Sequence, residues 1–217
     1  MKILVVSDYE NPGLWEYWRE EKTEGIDLII SCGDLNHNYL EFLTTVINKP
    51  LLYVRGNHDT SYDKKPPEGC IDIDDQVYTY KGIRFLGLGG SMRYRTGDDM
   101  YSEEEMQKRI KNMRKIIKKS NGFDFLVTHS PALGYGDRND IAHTGFACFN
   151  DLIEEYKPMY MLYGHVHQDY GDFKRIIKHE NGCMLVNCYD RYVIEIDDER
   201  IREENMRNTS SWKFWKK

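Results

Sequence analysis

Three short apolar runs, at residues 3–6 (ILVV), 28–30 (LII) and 51–54 (LLYV), constrain the fold more than any other feature of this chain. Each is β-branched or Leu-rich, bounded by turn residues and too short for a helix, the pattern of strands buried on both faces. Residues 14–21 and 39–48 between them read as helices, and this strand–helix rhythm predicts parallel βαβ units. The rhythm then changes: VYTY (77–80) and IRFLGL (83–88) stand close together and predict a hairpin across Lys81-Gly82. Residues 102–120 form the clearest helix, with a Ser102-x-x-Glu105 capping box and an apolar face of Met106, Ile110, Met113 and Ile117. Strands at 125–128 and 160–163 enclose a helix at about 146–156, and 173–178, 184–186 and 192–196 read as an antiparallel meander. With no repeat or linker, residues 1–200 are expected to be one domain, followed by a tail at 201–217.

A chain of 217 residues can bury a substantial core, and 40% hydrophobic with 30% charged residues is an ordinary soluble composition. No apolar stretch approaches the roughly 20 residues that span a bilayer, and residues 3–6 are too short for a signal peptide. A cytoplasmic location is therefore expected. The five cysteines (Cys32, Cys70, Cys148, Cys183, Cys188) are odd in number and include no CxxC, which argues against a disulfide framework or a thiolate zinc site. A net charge of −6 disfavours duplex nucleic acid as a partner. It leaves open small phosphate esters, whose charge metals can meet locally.

Each strand runs into a polar cluster: Asp8-Tyr9-Glu10, Gly33-Asp34, Gly56-Asn57-His58-Asp59, Thr128-His129-Ser130-Pro131 and Gly164-His165-Val166-His167. Singly these are weak signals; a strand end that runs into Asn11-Pro12-Gly13 needs no metal to be polar, and a lone histidine there is usually a hydrogen-bonded loop residue. His165 and His167 alternate, so they serve one site only if the chain turns at Gly164. Together the five clusters point to a metal site, because ligands of open α/β sheets sit outside the carboxyl ends of the strands.

The ordered set D-x-E, GD, GNHD, THSP and GHVH, from Asp8 to His167, resembles the calcineurin-like metallophosphoesterase superfamily. LVTHSPALGYGD, AHTGF and YGHVH further resemble the branch of metallophosphoesterase-domain (brain-type) phosphodiesterases. The resemblance implies a four-layer αββα sandwich with two mixed β-sheets, the metal site at the C-terminal ends of the strands. It implies two divalent ions, manganese or iron first and zinc also compatible. The first would take Asp8, the residue at position 10, the bridging Asp34 and His167; the second would take Asp34, Asn57, His129 and His165. His58 would lie beside the scissile phosphate with Asp59 orienting its imidazole. Two cations about 3.5–4 Å apart activate a bridging water and clamp an in-line displacement. The expected activity is phosphodiester hydrolysis on a small phosphate-ester substrate by attack of a metal-bridging hydroxide. Alternatives are a phosphomonoesterase of the same mechanism and a non-catalytic metal-binding scaffold for protein interaction.

The superfamily usually carries D-x-H where this chain has Asp8-Tyr9-Glu10. Either Glu10 is a ligand, making the first site harder and favouring manganese or iron(II), or it points away and the first site is weak or empty. Loops 60–70, 91–101 and 134–145 can close over such a site. Arg93 in the second is the expected substrate contact, since its fork suits a phosphate oxygen; the plainer reading is an arginine on a solvated loop. The aromatic-basic tail TSSWKFWKK suits a membrane-surface anchor, a dimer contact or packing on the domain itself.

Overall fold

Alternate residues of β1 (Lys2–Ser7) serve two different cores, and that alternation organises the molecule. In the computed structural model, which describes residues 1–197, Ile3 and Val5 join Leu28, Ile30 and Leu52 against Ile83, Phe85, Phe125, Val127 and Leu162 of a second sheet. Leu4 and Val6 face the other way, toward Tyr39, Leu40 and Leu43 of α1 (His37–Ile47). The first sheet runs β1, β2 (Leu28–Ser31), β3 (Leu51–Tyr53) and β4 (Ile71–Asp72), all parallel. Its other edge is closed by β13 (Asp190–Glu195), antiparallel to β1 with Lys2 opposite Glu195.

The second sheet begins with the expected hairpin, β5 (Val77–Tyr80) and β6 (Ile83–Leu88). It continues through β9 (Phe125–Thr128), β10 (Tyr160–Tyr163) and β12 (Met184–Asn187) in parallel, ending in the antiparallel β11 (Ile176–Lys178). A small parallel pair, β7 (Ser91–Met92) and β8 (Met100–Tyr101), leads into α2 (Glu103–Lys119). The capping box of α2 is formed by Ser102 and Glu105, and its buried Met106, Ile110, Met113 and Ile117 pack with α3 (Ala147–Tyr156) on the outer face of the second sheet. The layers are therefore α1, sheet, sheet, α2 with α3, the αββα sandwich expected.

Two expectations are corrected. Residues 14–21 form no α-helix: turns occupy this segment and a single 3-10 turn spans Glu20–Thr23. Pro12-Gly13 starts the turn, and Lys22 Nζ takes the Gly13 and Tyr17 carbonyls (3.0 and 2.9 Å) that helical N–H groups would need. The C-terminal meander is also split. β11 and β12 stay in the second sheet, β12 parallel to β10, while β13 crosses to the first. No helix among the described residues is long and apolar enough to cross a membrane. The tail at 201–217 and residues 198–200 lie outside the described residues.

Candidate metal centre

The five clusters meet at one end of the sandwich, three supplied by β1, β2 and β3 of the first sheet and two by β9 and β10 of the second. Bringing them together requires unusual backbone. Asp8, Asp34 and His165 all have left-handed φ, at 62°, 56° and 66°, each costing about 1–3 kcal/mol. Backbone bonds among the clusters fix these turns: Asp8 N–H to Gly33 O (3.2 Å), Asp34 N–H to Asp59 Oδ2 (2.8 Å) and His165 N–H to Asp8 Oδ2 (2.9 Å). The turn demanded at Gly164 is present. A Cβ there would collide with Ser7 Oγ and Asp8 Oδ2, and one on Gly56 with Asp34 Oδ1, so only glycine lets these chains approach.

The histidines are aimed by the carbonyls behind them. His129 is fully buried; its Nδ1 donates to Cys32 O at 2.7 Å, leaving Nε2 3.3 Å from Asp34 Oδ2. His165 Nε2 donates to Ala142 O at 2.6 Å, which turns its Nδ1 inward, 3.1 Å from His129 Nε2. Such outer bonds set the tautomer that a metal-binding histidine needs. One ligand atom from each of Asp34, His129 and His165 lies within 4.8 Å of the others. His167 Nε2 stands 3.5 Å from Asp8 Oδ1, its ring stacked on Tyr170 at 4.8 Å.

Charge in this cluster is strongly biased. Burial alone would raise the Asp34 carboxyl, but the His129 imidazolium beside it prevails and holds it at about 2. Burial likewise opposes protonation of His129, yet the Asp34 charge lifts it to about 10. His165, desolvated and next to that imidazolium, falls to about 4. Burial, then the Asp34 charge, raises Asp59 to about 7. The Asp34–His129 pair thus holds a proton where a divalent cation would satisfy both groups. Asp8 Oδ1 and Asn57 Oδ1 are buried acceptors that receive no hydrogen bond among the described residues. Carboxylate, amide and imidazole donors converging in this way fit divalent cations.

A cavity of about 360 Å³ opens over the cluster, lined by Asp8, Asp34, Asn57, His58, His165 and His167 together with Tyr94, Ala142, His143 and Tyr170. Seven of the ten sequence candidates are thereby gathered, His129 among them through its contacts with Asp34 and His165, and three are placed differently from expectation. Asp59 makes no hydrogen bond to the His58 ring among the described residues; its Oδ2 accepts the backbone N–H groups of Gly56 and Asp34, both at 2.8 Å, clamping two loops together. Arg93 is turned away, bound to Glu105 Oε2 (2.8 Å) and Met100 O (2.9 Å). Glu10 is exposed and lies outside the cavity, its Oε1 accepting the Asn36 N–H at 3.1 Å.

Sequence reasoning missed Tyr94, His143 and Tyr170 as cavity residues. Tyr94 follows Arg93 directly, in a bend just beyond β7; Arg93 pairs with Glu105, while the Tyr94 hydroxyl stands 3.4 Å from Asn57 Nδ2. His143 lies in the loop singled out at 134–145, its Nδ1 2.7 Å from Asp140 Oδ1.

A model of the calcineurin-like phosphoesterase family matches residues 1–169. An uncharacterized protein of Methanocaldococcus jannaschii is 27% identical over 188 residues, 77% of this chain and 81% of that one. A UPF0046 protein of Caenorhabditis elegans is 25% identical over 199 residues, 79% of this chain; the match spans 65% of the worm protein, just under two thirds. The solved structure of TT1561 from Thermus thermophilus has the same fold, with a TM-score of 0.58 and 16% identity, covering 87% of this chain and 89% of that one.

Proposed function

Since the chain belongs to the calcineurin-like phosphoesterase family, whose members bind a dinuclear divalent metal site, we propose that it is a metal-dependent phosphodiesterase acting on a small ester. The observation that carries this reading is the pair of buried acceptors that receive no hydrogen bond among the described residues, Asp8 Oδ1 and Asn57 Oδ1, on the cavity that also takes Asp34 and His165. Leaving such an atom unpaired costs about 1–3 kcal/mol, which a bound cation offsets where no protein donor does. Asp34, Asn57, His129 and His165 would hold one ion, and Asp8, Asp34 and His167 the other. Bound there, the ions would supply an activated water and neutralise charge on the phosphate during in-line displacement.

The remaining work falls to side chains. The His58 N–H is tied to Asp34 Oδ1 at 2.8 Å, which sets its imidazole on the cavity wall, where it can give a proton to the departing oxygen. The Tyr94 hydroxyl takes the substrate-contact role expected of Arg93, as a neutral donor to a non-bridging oxygen. The described lining contains no lysine or arginine. That favours a diester with a single negative charge over a monoester carrying about 1.5–2 at neutral pH.

The test is hydrolysis of bis(p-nitrophenyl) phosphate and p-nitrophenyl phosphate by chelator-stripped protein titrated with manganese. Diester turnover that requires metal, and that His58→Asn abolishes with metal content unchanged, supports the reading. Preference for the monoester would move it to a phosphomonoesterase. No turnover of either ester by metal-loaded protein would leave a metal-binding scaffold.

A further inference from the structure

The two halves of the centre are unequally built. On the side of the second sheet, His129 is 0% exposed and His165 is buried, each with its outward nitrogen bound to a backbone carbonyl. Asn57 is also buried, and its amide contacts Tyr94. On the side of β1, Asp8 and His167 stand without a third private ligand among the described residues. The His167 side chain is 34% exposed. Rings hold it, with Tyr170 parallel at 4.8 Å and Tyr189 at 4.9 Å.

The side chain at the remaining position is engaged elsewhere. Glu10 accepts the N–H of Asn36, the N-cap residue of α1, whose own side chain accepts from Asn38 N–H at 2.9 Å. Nearby, Asn11 Nδ2 donates to Asp190 Oδ1 at 2.6 Å, so the segment after Asp8 is moored to α1 on one side and to β13 on the other. Glu10 is a tether, and the geometry that makes it one points its carboxylate out of the cavity.

Resting on the phosphoesterase reading, we infer that this is a split-affinity centre: four side chains hold a resident ion, three hold an exchangeable one, and the free divalent-ion concentration sets how much of the protein is active. Partners outside the ligand set already alter metal affinity about 10–100-fold, so the absence of a direct ligand separates the two dissociation constants by at least about tenfold.

The test uses the full chain stripped with chelator and titrated with Mn(II), the free ion being counted by its six-line EPR signal. Two classes of site are expected, differing at least about tenfold in Kd, with one equivalent retained through gel filtration by elemental analysis. Glu10→Ala should keep both classes, whereas His167→Ala should lose the weaker one alone. His167→Gln, with far-UV circular dichroism on both variants, guards against a merely unfolded result. Two sites of equal affinity, or loss of an equivalent in Glu10→Ala, would overturn the inference and leave the phosphoesterase reading standing. No bound ion at all would overturn both. Two unequal sites on a protein that hydrolyses neither ester at saturating metal would overturn the phosphoesterase reading and with it the control of activity, leaving the unequal affinities alone.

Discussion

The floor of the cavity and its lip are built on different principles. The floor consists of strand ends: Asp8, Asp34 and His165 leave β1, β2 and β10 in left-handed backbone, Asn57 follows Gly56 beyond β3 and His129 follows β9, and the side chains of all but Asn57 are tied to backbone. The lip consists of single side chains on loops, Tyr94, His143 and Tyr170, positioned by one contact apiece or by ring packing. Floor residues are fixed by the fold and cannot move without it. Lip residues are fixed by their neighbours and can be exchanged singly.

Substitution should separate the two principles by size of effect. Asp34→Asn removes the carboxylate shared by the two proposed ions and the partner of His129; kcat/KM should fall by about 10²–10³-fold or more, measured in the diester assay at saturating manganese. Asp59→Ala strips the acceptor from two backbone N–H groups, so urea unfolding should report a loss of about 2–4 kcal/mol. Asp59→Asn, whose oxygen can still accept both, should recover most of it. If Asp59 instead served mainly to orient His58, Ala and Asn would impair turnover equally and stability would hardly change. On the lip, Tyr94→Phe deletes one neutral hydrogen bond and should raise KM about 3–10-fold with kcat nearly intact. Arg93→Ala breaks a half-exposed ion pair with Glu105; a stability change under about 1 kcal/mol and an unaltered KM are expected. A large KM effect there would restore Arg93 to the site and erase the distinction.

The same division explains what could be read from sequence. Ligand types recur at strand ends because the sheet fixes where those ends converge, so Asp34, Asn57, His129, His165 and His167 stood out by position and chemistry together. The core was equally open to reading: the uninterrupted apolar runs of β1, β2 and β3 occur because both faces of the sheet are covered. Roles that depend on one side chain's direction were not legible. GNHD does not say that Asp59 turns back to hold the loop of Asp34, nor does SMRYR say which of Arg93 and Tyr94 faces in. Residues 14–21 have a helical pattern, yet Pro12, Gly13 and the grip of Lys22 on two carbonyls override it. The destination of β13 was hidden because its alternating exposure suits an edge of either sheet.

That destination also sets a timetable. β1 pairs on one edge with a strand that begins at residue 190, and Asp8 receives a bond from His165, 157 residues further along the chain. At synthesis rates of about 5–20 residues per second, β1 waits roughly 10–40 s on the ribosome with that edge unpaired, and the centre stays without half its donors for most of that time. Contacts of such long range form late. Loading of the proposed ions would therefore follow translation, since a nascent chain offers only scattered carboxylates and imidazoles to the metals around it.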